Sequence, residues 1–164
     1  MIAGIDVNLR RATICVLDAD GDPAWRCLEV PSHLDALQSA RALALLSAYH
    51  DWGGIDVVWI ERPMGKHIRS IADLSRTLGV ILSGIPPSIP VSEITPGEWK
   101  KTIGLRGHAT KQDVGRWARD HARAGFAGNL ADGDLDEHEA DAFAIATACR
   151  IASERAVQLI GSPL

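Results

Sequence analysis

The sequence predicts an α/β domain on a five-stranded mixed sheet, an antiparallel meander followed by α-linked strands, flanked by helices. Three observations predict it. Residues 2–8, 12–18 and 24–30 are short apolar runs separated by the turn signals Asn8-Leu9-Arg10-Arg11 and Asp18-Ala19-Asp20-Gly21-Asp22-Pro23, and turns this short join antiparallel neighbours. Two later strand-like runs, Ile55–Ile60 and Ile89–Ile94, are set apart by segments of helical periodicity. The resulting order, β-β-β-α-β-α-β-α-α-α, is not a repeated βαβ unit, and neither GxGxxG nor a P-loop occurs, which disfavours a doubly wound sheet.

Each element has its own signal. Ile2-Ala3-Gly4-Ile5-Asp6-Val7 is a short apolar run holding one carboxylate, and its apolar neighbours suggest a strand buried on both faces in mid-sheet. Ser32, with Asp35 as an approximate capping box, opens a helix whose apolar positions Leu34, Leu37, Ala40, Leu43, Ala44 and Leu46 recur to about Tyr49. Gly53-Gly54 breaks the chain before the fourth strand, which ends at Glu61. Pro63 and Gly65 form a loop. A helix follows from about Lys66 to Ser83, with Ile68, Ile71, Ala72, Leu78 and Leu82 on one face, apolar enough for both a core and a subunit interface. Pro86-Pro87 leads to the fifth strand. Thr95-Pro96 caps and opens a helix to about Ile103, Gly104 and Gly107 bracket a basic loop, and Thr110 caps a helix to about Ala124. Gly125–Gly133 reads as small and flexible, and a last helix runs from about Asp136 through Ser153.

At 164 residues the chain reads as one domain, 1–164, with room for a real core. A net charge of −4 argues against a wholly basic nucleic-acid binder, so any such partner must meet a local patch. Cys15, Cys27 and Cys149 lack metal-ligand spacing and read as reduced thiols of a cytoplasmic protein. No apolar run has the length of a membrane span, and the start runs straight into a strand with no signal-peptide pattern.

The chemistry lies in the acids. A buried, unpartnered Asp6 is costly, and a metal cation is a common partner. If strands one and four are neighbours, Asp6 and Glu61 lie side by side and repel unless a cation sits between them. His138 and Asp141, three apart, share a face of the last helix, and Ala142, Ala144, Ala146 and Ala148 allow that helix to pack closely on the sheet. Such packing would bring both onto Asp6 and Glu61. Three carboxylates and an imidazole suit Mg²⁺ or Mn²⁺, and two such ions about 3.5–4 Å apart would hold an attacking water and a leaving oxygen across one phosphate. The bland reading also stands: Asp136–Glu139 is a good first turn for a helix macrodipole, with no chemistry needed.

Gly4-Ile5-Asp6, Trp59-Ile60-Glu61 and His138-Glu139-Ala140-Asp141-Ala142 together resemble the RuvC family of Holliday junction resolvases, which have the RNase H-like fold. Leu78-Gly79-Val80, the run Ile94–Thr102 and the run Gly107–Val114 follow in the family's order, so the resemblance covers nearly the whole chain. It implies a homodimeric, metal-dependent endonuclease of a bacterial or phage-infected cell that nicks two opposed strands of a four-way junction. By position, Asp6, Glu61, His138 and Asp141 would form the metal-binding and catalytic set, with Asp136 and Glu137 as alternatives to His138. Lys100 and Lys111 match lysines near the DNA and the active site, and Lys111 would act in catalysis. The chain departs from the family twice: Val7-Asn8 replaces the Pro-Gly that usually follows the first Asp, and Met64 stands where an aromatic often follows the Glu.

The local charge fits DNA. Lys100, Lys101, Arg106, Lys111, Arg116, Arg119 and Arg123 cluster between Pro96 and Phe126, and Arg62, Lys66, Arg69 and Arg76 follow Glu61. The bland reading is a solvated helix face. Trp52, Trp59 and Trp99 read as core or subunit contacts; Trp25 and Trp117 are core residues or base-stacking platforms. Other functions compete with the junction nuclease: the same chemistry on forks, flaps or other branched DNA or RNA, a silent branched-DNA scaffold, or a sugar-kinase-like phosphotransferase half, for which the chain is too short.

Overall fold

The computed structural model describes residues 1–64, 68–122 and 135–161. Strands β1 (Ile2–Val7), β2 (Arg11–Leu17) and β3 (Pro23–Glu29) form the meander; helix α1 (Ala36–Tyr49), β4 (Val57–Glu61), α2 (Ile68–Gly84), β5 (Val91–Ile94), α3 (Pro96–Thr102), α4 (Lys111–His121) and α5 (Glu137–Gly161) follow. The sheet order is β3-β2-β1-β4-β5. The meander pairs are antiparallel, while β1–β4 and β4–β5 are parallel. This is the mixed, helix-flanked sheet that the sequence predicts.

Strand alternation sorts the core into two layers. Ala3, Ile5, Ile14, Val58 and Ile60 face α1 and α2, whereas Cys15, Leu17 and Trp59 face α3, α4 and α5. Gly4 and Asp6 therefore look toward α5. Trp99 and Trp117 are buried on that side, and Trp25 and Trp117 both pack on Phe143, at centroid distances of 6.1 and 5.5 Å. Core packing, rather than an open stacking platform, is what these two rings do here.

Several boundaries differ from expectation. Helix α1 is capped by Asp35, not Ser32: Asp35 accepts from the backbone N–H of Gln38 at 2.8 Å, and the Gln38 side-chain oxygen accepts from the Asp35 backbone N–H at 3.0 Å. Ser32 instead lies within a turn closed by the Leu34 N–H on the Pro31 carbonyl. The inward face of α1 is Ser39, Ala40, Leu43 and Ser47, whereas Leu37 and Leu46 are exposed. Small residues face inward because α1 crosses α2 closely: Ser47 donates to the Ile81 carbonyl, and a Cβ at Gly84 would collide with Ser47. On α2 the inward residues are Thr77, Leu78 and Ile81, and Ala72 is exposed. Strand β5 starts at Val91 because Pro90 has no N–H to continue the ladder, although its carbonyl accepts from Val58. Helix α5 runs eight residues past Ser153, carried by an Arg150–Glu154 pair one turn apart. The expected start of α2 at Lys66, the end of α4 at Ala124 and the loop Gly125–Gly133 lie outside the described residues.

Candidate active site

The site is built where β1 and β4 end side by side beneath the start of α5. The parallel register pairs Ile5 with Ile60, so Asp6 and Glu61 are the next residues on neighbouring strands and share the α5 face. Gly4 lets the helix approach: a Cβ there would stand 2.5 Å from the Ala142 carbonyl oxygen. Asp136 fixes the helix start. Its carboxylate accepts from the Glu139 backbone N–H at 2.8 Å and pairs with Arg11 of β2 at 2.7 Å.

Seated this way, α5 presents His138 and Asp141 to the strands. His138 Nδ1 lies 2.6 Å from Asp6 Oδ2. Asp6 is buried, 8% exposed. Burial raises Glu61 from the usual 4.5 to about 7, and the charges of Asp6 and Asp141 add to it. Burial likewise lifts Asp141 to about 6, with Asp6 as the next cause. The hydrogen bond to Asp6 raises His138. Two groups counter the repulsion at Glu61. Trp99 Nε1 donates to its Oε2 at 2.8 Å, and the Lys100 charge also favours the carboxylate. Lys111 pairs with Glu137 at 2.8 Å and senses both Asp141 and Asp6.

Asp6, Glu61 and Asp141 are thus an all-oxygen donor set whose burial and mutual repulsion a hard divalent cation would relieve. The donor chemistry fits Mg²⁺ or Mn²⁺. Among the described residues no three His, Cys, Asp or Glu side chains close into a metal cage in this conformation: His138 is turned to Asp6, and Glu61 to Trp99.

The basic residues divide. Lys100 and Lys111 border the acids. The Lys100 ammonium is anchored to the Ala109 carbonyl at 2.9 Å and sits 5.2 Å from the Trp99 ring centre. Lys101 is exposed on the last turn of α3. Arg106 is exposed and lines an open cavity of about 510 Å³ with His108, Arg116 and Trp117, to which Asp6, Glu61 and Asp141 do not contribute. Arg62 follows Glu61 but turns to Glu93, at 3.1 Å. Lys66 and the side chain of Arg69 lie outside the described residues.

Two partners in the site escape sequence reasoning. Trp99 reads as core filler, and its buried N–H supplies no sequence signal. Asn8 reads as a turn residue, yet its Nδ2 lies 3.3 Å from His138 Nε2. The only available signal is that Val7-Asn8 replaces the Pro-Gly expected after Asp6.

Fold and site together define an RNase H-like α/β protein with an acidic centre on its two middle strands and the helix above them. The particular likeness is to RuvC. No protein-family profile matches the chain. The crossover junction endodeoxyribonuclease RuvC of Christiangramia forsetii is 31% identical over 87 residues, covering 52% of this chain and 43% of that protein. The chain thus matches less than half the length of that relative. Thermus thermophilus RuvC in complex with a Holliday junction substrate superposes with a TM-score of 0.69 at 17% identity, over 93% of this chain and 94% of that one. A second Thermus thermophilus RuvC structure gives 0.66 at 19% identity, over 95% and 97%. The fold is that of RuvC, as the resemblance in the sequence implies. Among the described residues no helix is long and apolar enough to cross a membrane.

Proposed function

We propose that the protein is a metal-dependent endonuclease that resolves four-way DNA junctions by paired symmetric nicks. The observation that carries this reading is the repulsive acidic centre of Asp6, Glu61 and Asp141 on a RuvC fold. Those three carboxylates would hold one or two Mg²⁺ or Mn²⁺ ions, with His138 as the fourth member of the set. Bound there, the metal would supply activated water and charge neutralisation at the scissile phosphate. His138 holds Asp6 in place through its 2.6 Å contact. Trp99 orients Glu61 and favours its charged form. Lys111, beside the acids, would offset negative charge building on the phosphate, and Lys100, Lys101 and Arg106 would hold the strand backbone. The products would carry a 5′-phosphate and a 3′-hydroxyl. A junction offers two symmetric cleavage points, which a two-fold homodimer with one site per subunit would match.

The test is cleavage of strand-labelled synthetic four-way junctions, with forked and flapped DNA alongside, in Mg²⁺ and in Mn²⁺. Paired symmetric nicks, lost in Asp6→Asn while junction binding persists, are the expected result. Preferential cutting of forks or flaps would move the activity to general branched DNA. Tight binding without any cleavage would make the protein a scaffold. Wild-type rates in Asp6→Asn would overturn the metal site.

A further inference from the structure

The cavity of about 510 Å³ between the Gly104–Thr110 loop and α4 has fixed walls. Gly104, at φ +87°, turns the chain after α3. The Leu105 N–H donates to the Lys100 carbonyl at 2.9 Å, and the Ala109 N–H to the Arg106 carbonyl at 2.8 Å. Lys100 Nζ donates to the Ala109 carbonyl at 2.9 Å, which ties the loop to the basic edge of the acidic centre. The opposite wall is one face of α4, with Arg116, Trp117, Asp120 and His121.

The wall groups differ in what they still need. Trp117 is 8% exposed and packs on His121 and Phe143, at ring-centroid distances of 4.5 and 5.5 Å. Its indole N–H has no hydrogen-bond partner among the described residues, and such buried donors are nearly always paired. It is not sealed in the core, because among the described residues the fully buried side-chain polar atom without a partner is Ser39 Oγ. The surface that Trp117 keeps borders this cavity. His121 Nδ1 donates to the Trp117 carbonyl at 2.7 Å, and its ring lies at 20° to the indole, so the imidazole is pinned although His121 is exposed. The side chains of Arg106 and Arg116 are exposed and make no hydrogen bond or ion pair among the described residues. Asp113 feels both guanidinium charges, but its carboxylate is taken by the Thr110 N–H at 2.9 Å and hydroxyl at 2.8 Å. Asp120 is exposed and has no such bonds among the described residues.

Two guanidiniums and an indole N–H therefore want acceptors, one carboxylate wants donors, and a fixed ring is open for stacking. A phosphate alone would use the guanidiniums and meet repulsion from Asp120. A nucleotide uses every group: guanidiniums suit its phosphate, and its base offers a face to the ring and N–H donors to the carboxylate. The volume lies within the range of small-ligand pockets, about 300–1,000 Å³. We infer that this cavity binds one unpaired nucleotide of a DNA strand, with the phosphate on Arg106 and Arg116 and the base against His121. A base stacked within a duplex cannot reach such a pocket, so the nucleotide comes from a single-stranded stretch. The binding rests on the cavity alone; that the strand belongs to a junction rests on the nuclease reading above.

The experiment is NMR of the full chain in metal-free buffer, titrated with thymidine monophosphate, with a short oligothymidylate and with a blunt duplex. The Trp117 indole N–H, assigned by triple resonance, is the reporter. It should shift with the single strand and with the mononucleotide, and not with the duplex. By fluorescence anisotropy, His121→Ala should weaken single-strand binding at least about 5-fold, the loss typical of one stacked base, while His121→Phe restores most of it. Arg116→Ala should weaken the single strand further than the duplex. An unmoved Trp117 signal, or equal losses for single strand and duplex in His121→Ala, would overturn the inference. A shift with the mononucleotide that oligothymidylate cannot compete away would overturn the strand and make the ligand a free nucleotide. The expected shifts in a protein that cuts no branched DNA would support the pocket and remove the nuclease reading.

Discussion

Gly4 of β1 and Ala142 of α5 meet backbone to backbone: a Cβ on Gly4 would fall 2.5 Å from the Ala142 carbonyl oxygen and 2.8 Å from the Cα of Ala146. Neither atom belongs to a side chain that can rotate away, so Gly4→Ala must lift the helix. The helix carries His138, whose contact with Asp6 is 2.6 Å. Overpacking that shifts backbone costs roughly 1–3 kcal/mol, occasionally more. The expected result is a loss of about 2–3 kcal/mol in chemical denaturation, with cleavage lost even where the protein stays folded. An unchanged denaturation midpoint would mean that the helix does not rest on β1 this closely.

Lys111 separates chemistry from binding. Its pair with Glu137 is largely exposed, 64% and 52%, and pairs of that kind contribute about 0–1 kcal/mol. Lys111→Ala should therefore barely move the melting temperature. On the proposed function its charge bears on the phosphate as negative charge develops, and losing one such group costs about 10²–10³ in turnover. Single-turnover cleavage should fall about 10²-fold, with junction affinity changed only a few-fold. Equal losses in rate and affinity would reduce Lys111 to a phosphate contact.

What the sequence makes legible is what periodicity and residue size control. The strands that hold Asp6 and Glu61 and the close packing of α5 through its alanine face are legible, whereas the pairing of β1 with β4 and the part Gly4 plays come from the structure. What stays hidden depends on the approach of other elements. Leu37 and Leu46 look inward by spacing, but α1 crosses α2 so closely that Ser47 occupies the interface instead. Helical period does not encode crossing distance. The Trp99–Glu61 and Asn8–His138 contacts span 38 and 130 residues, and each uses a residue whose local reading, core ring or turn former, is already complete.

The acidic centre sets a pH dependence with a definite sign. Glu61 in the folded protein titrates at about 7 against 4.5 ordinarily, and Asp141 at about 6 against 3.8. Between the ordinary and raised values the folded state binds more protons than the unfolded one, so stability falls as pH rises. The penalty is absent below about pH 4 and complete above about pH 7–8, at up to about 1.4 kcal/mol for each unit of pH per group. His138 acts in the same direction, because its bond to Asp6 is strongest with the ring charged. Asp113, Glu98 and Glu137 have lowered values, and their contribution is lost only at the acid end. In metal-free buffer the melting temperature should therefore drop from pH 5 to pH 8, and Glu61→Gln should flatten the drop and raise the value at pH 8. Mg²⁺ should stabilise the wild type more at pH 8 than at pH 5, because it offsets charge that exists only at the higher pH. Trp99→Phe, which removes the N–H donated to Glu61, should push the decline toward higher pH. A melting temperature independent of pH across this range, with no effect from Mg²⁺, would show that burial and mutual repulsion do not raise these carboxylates in the folded protein.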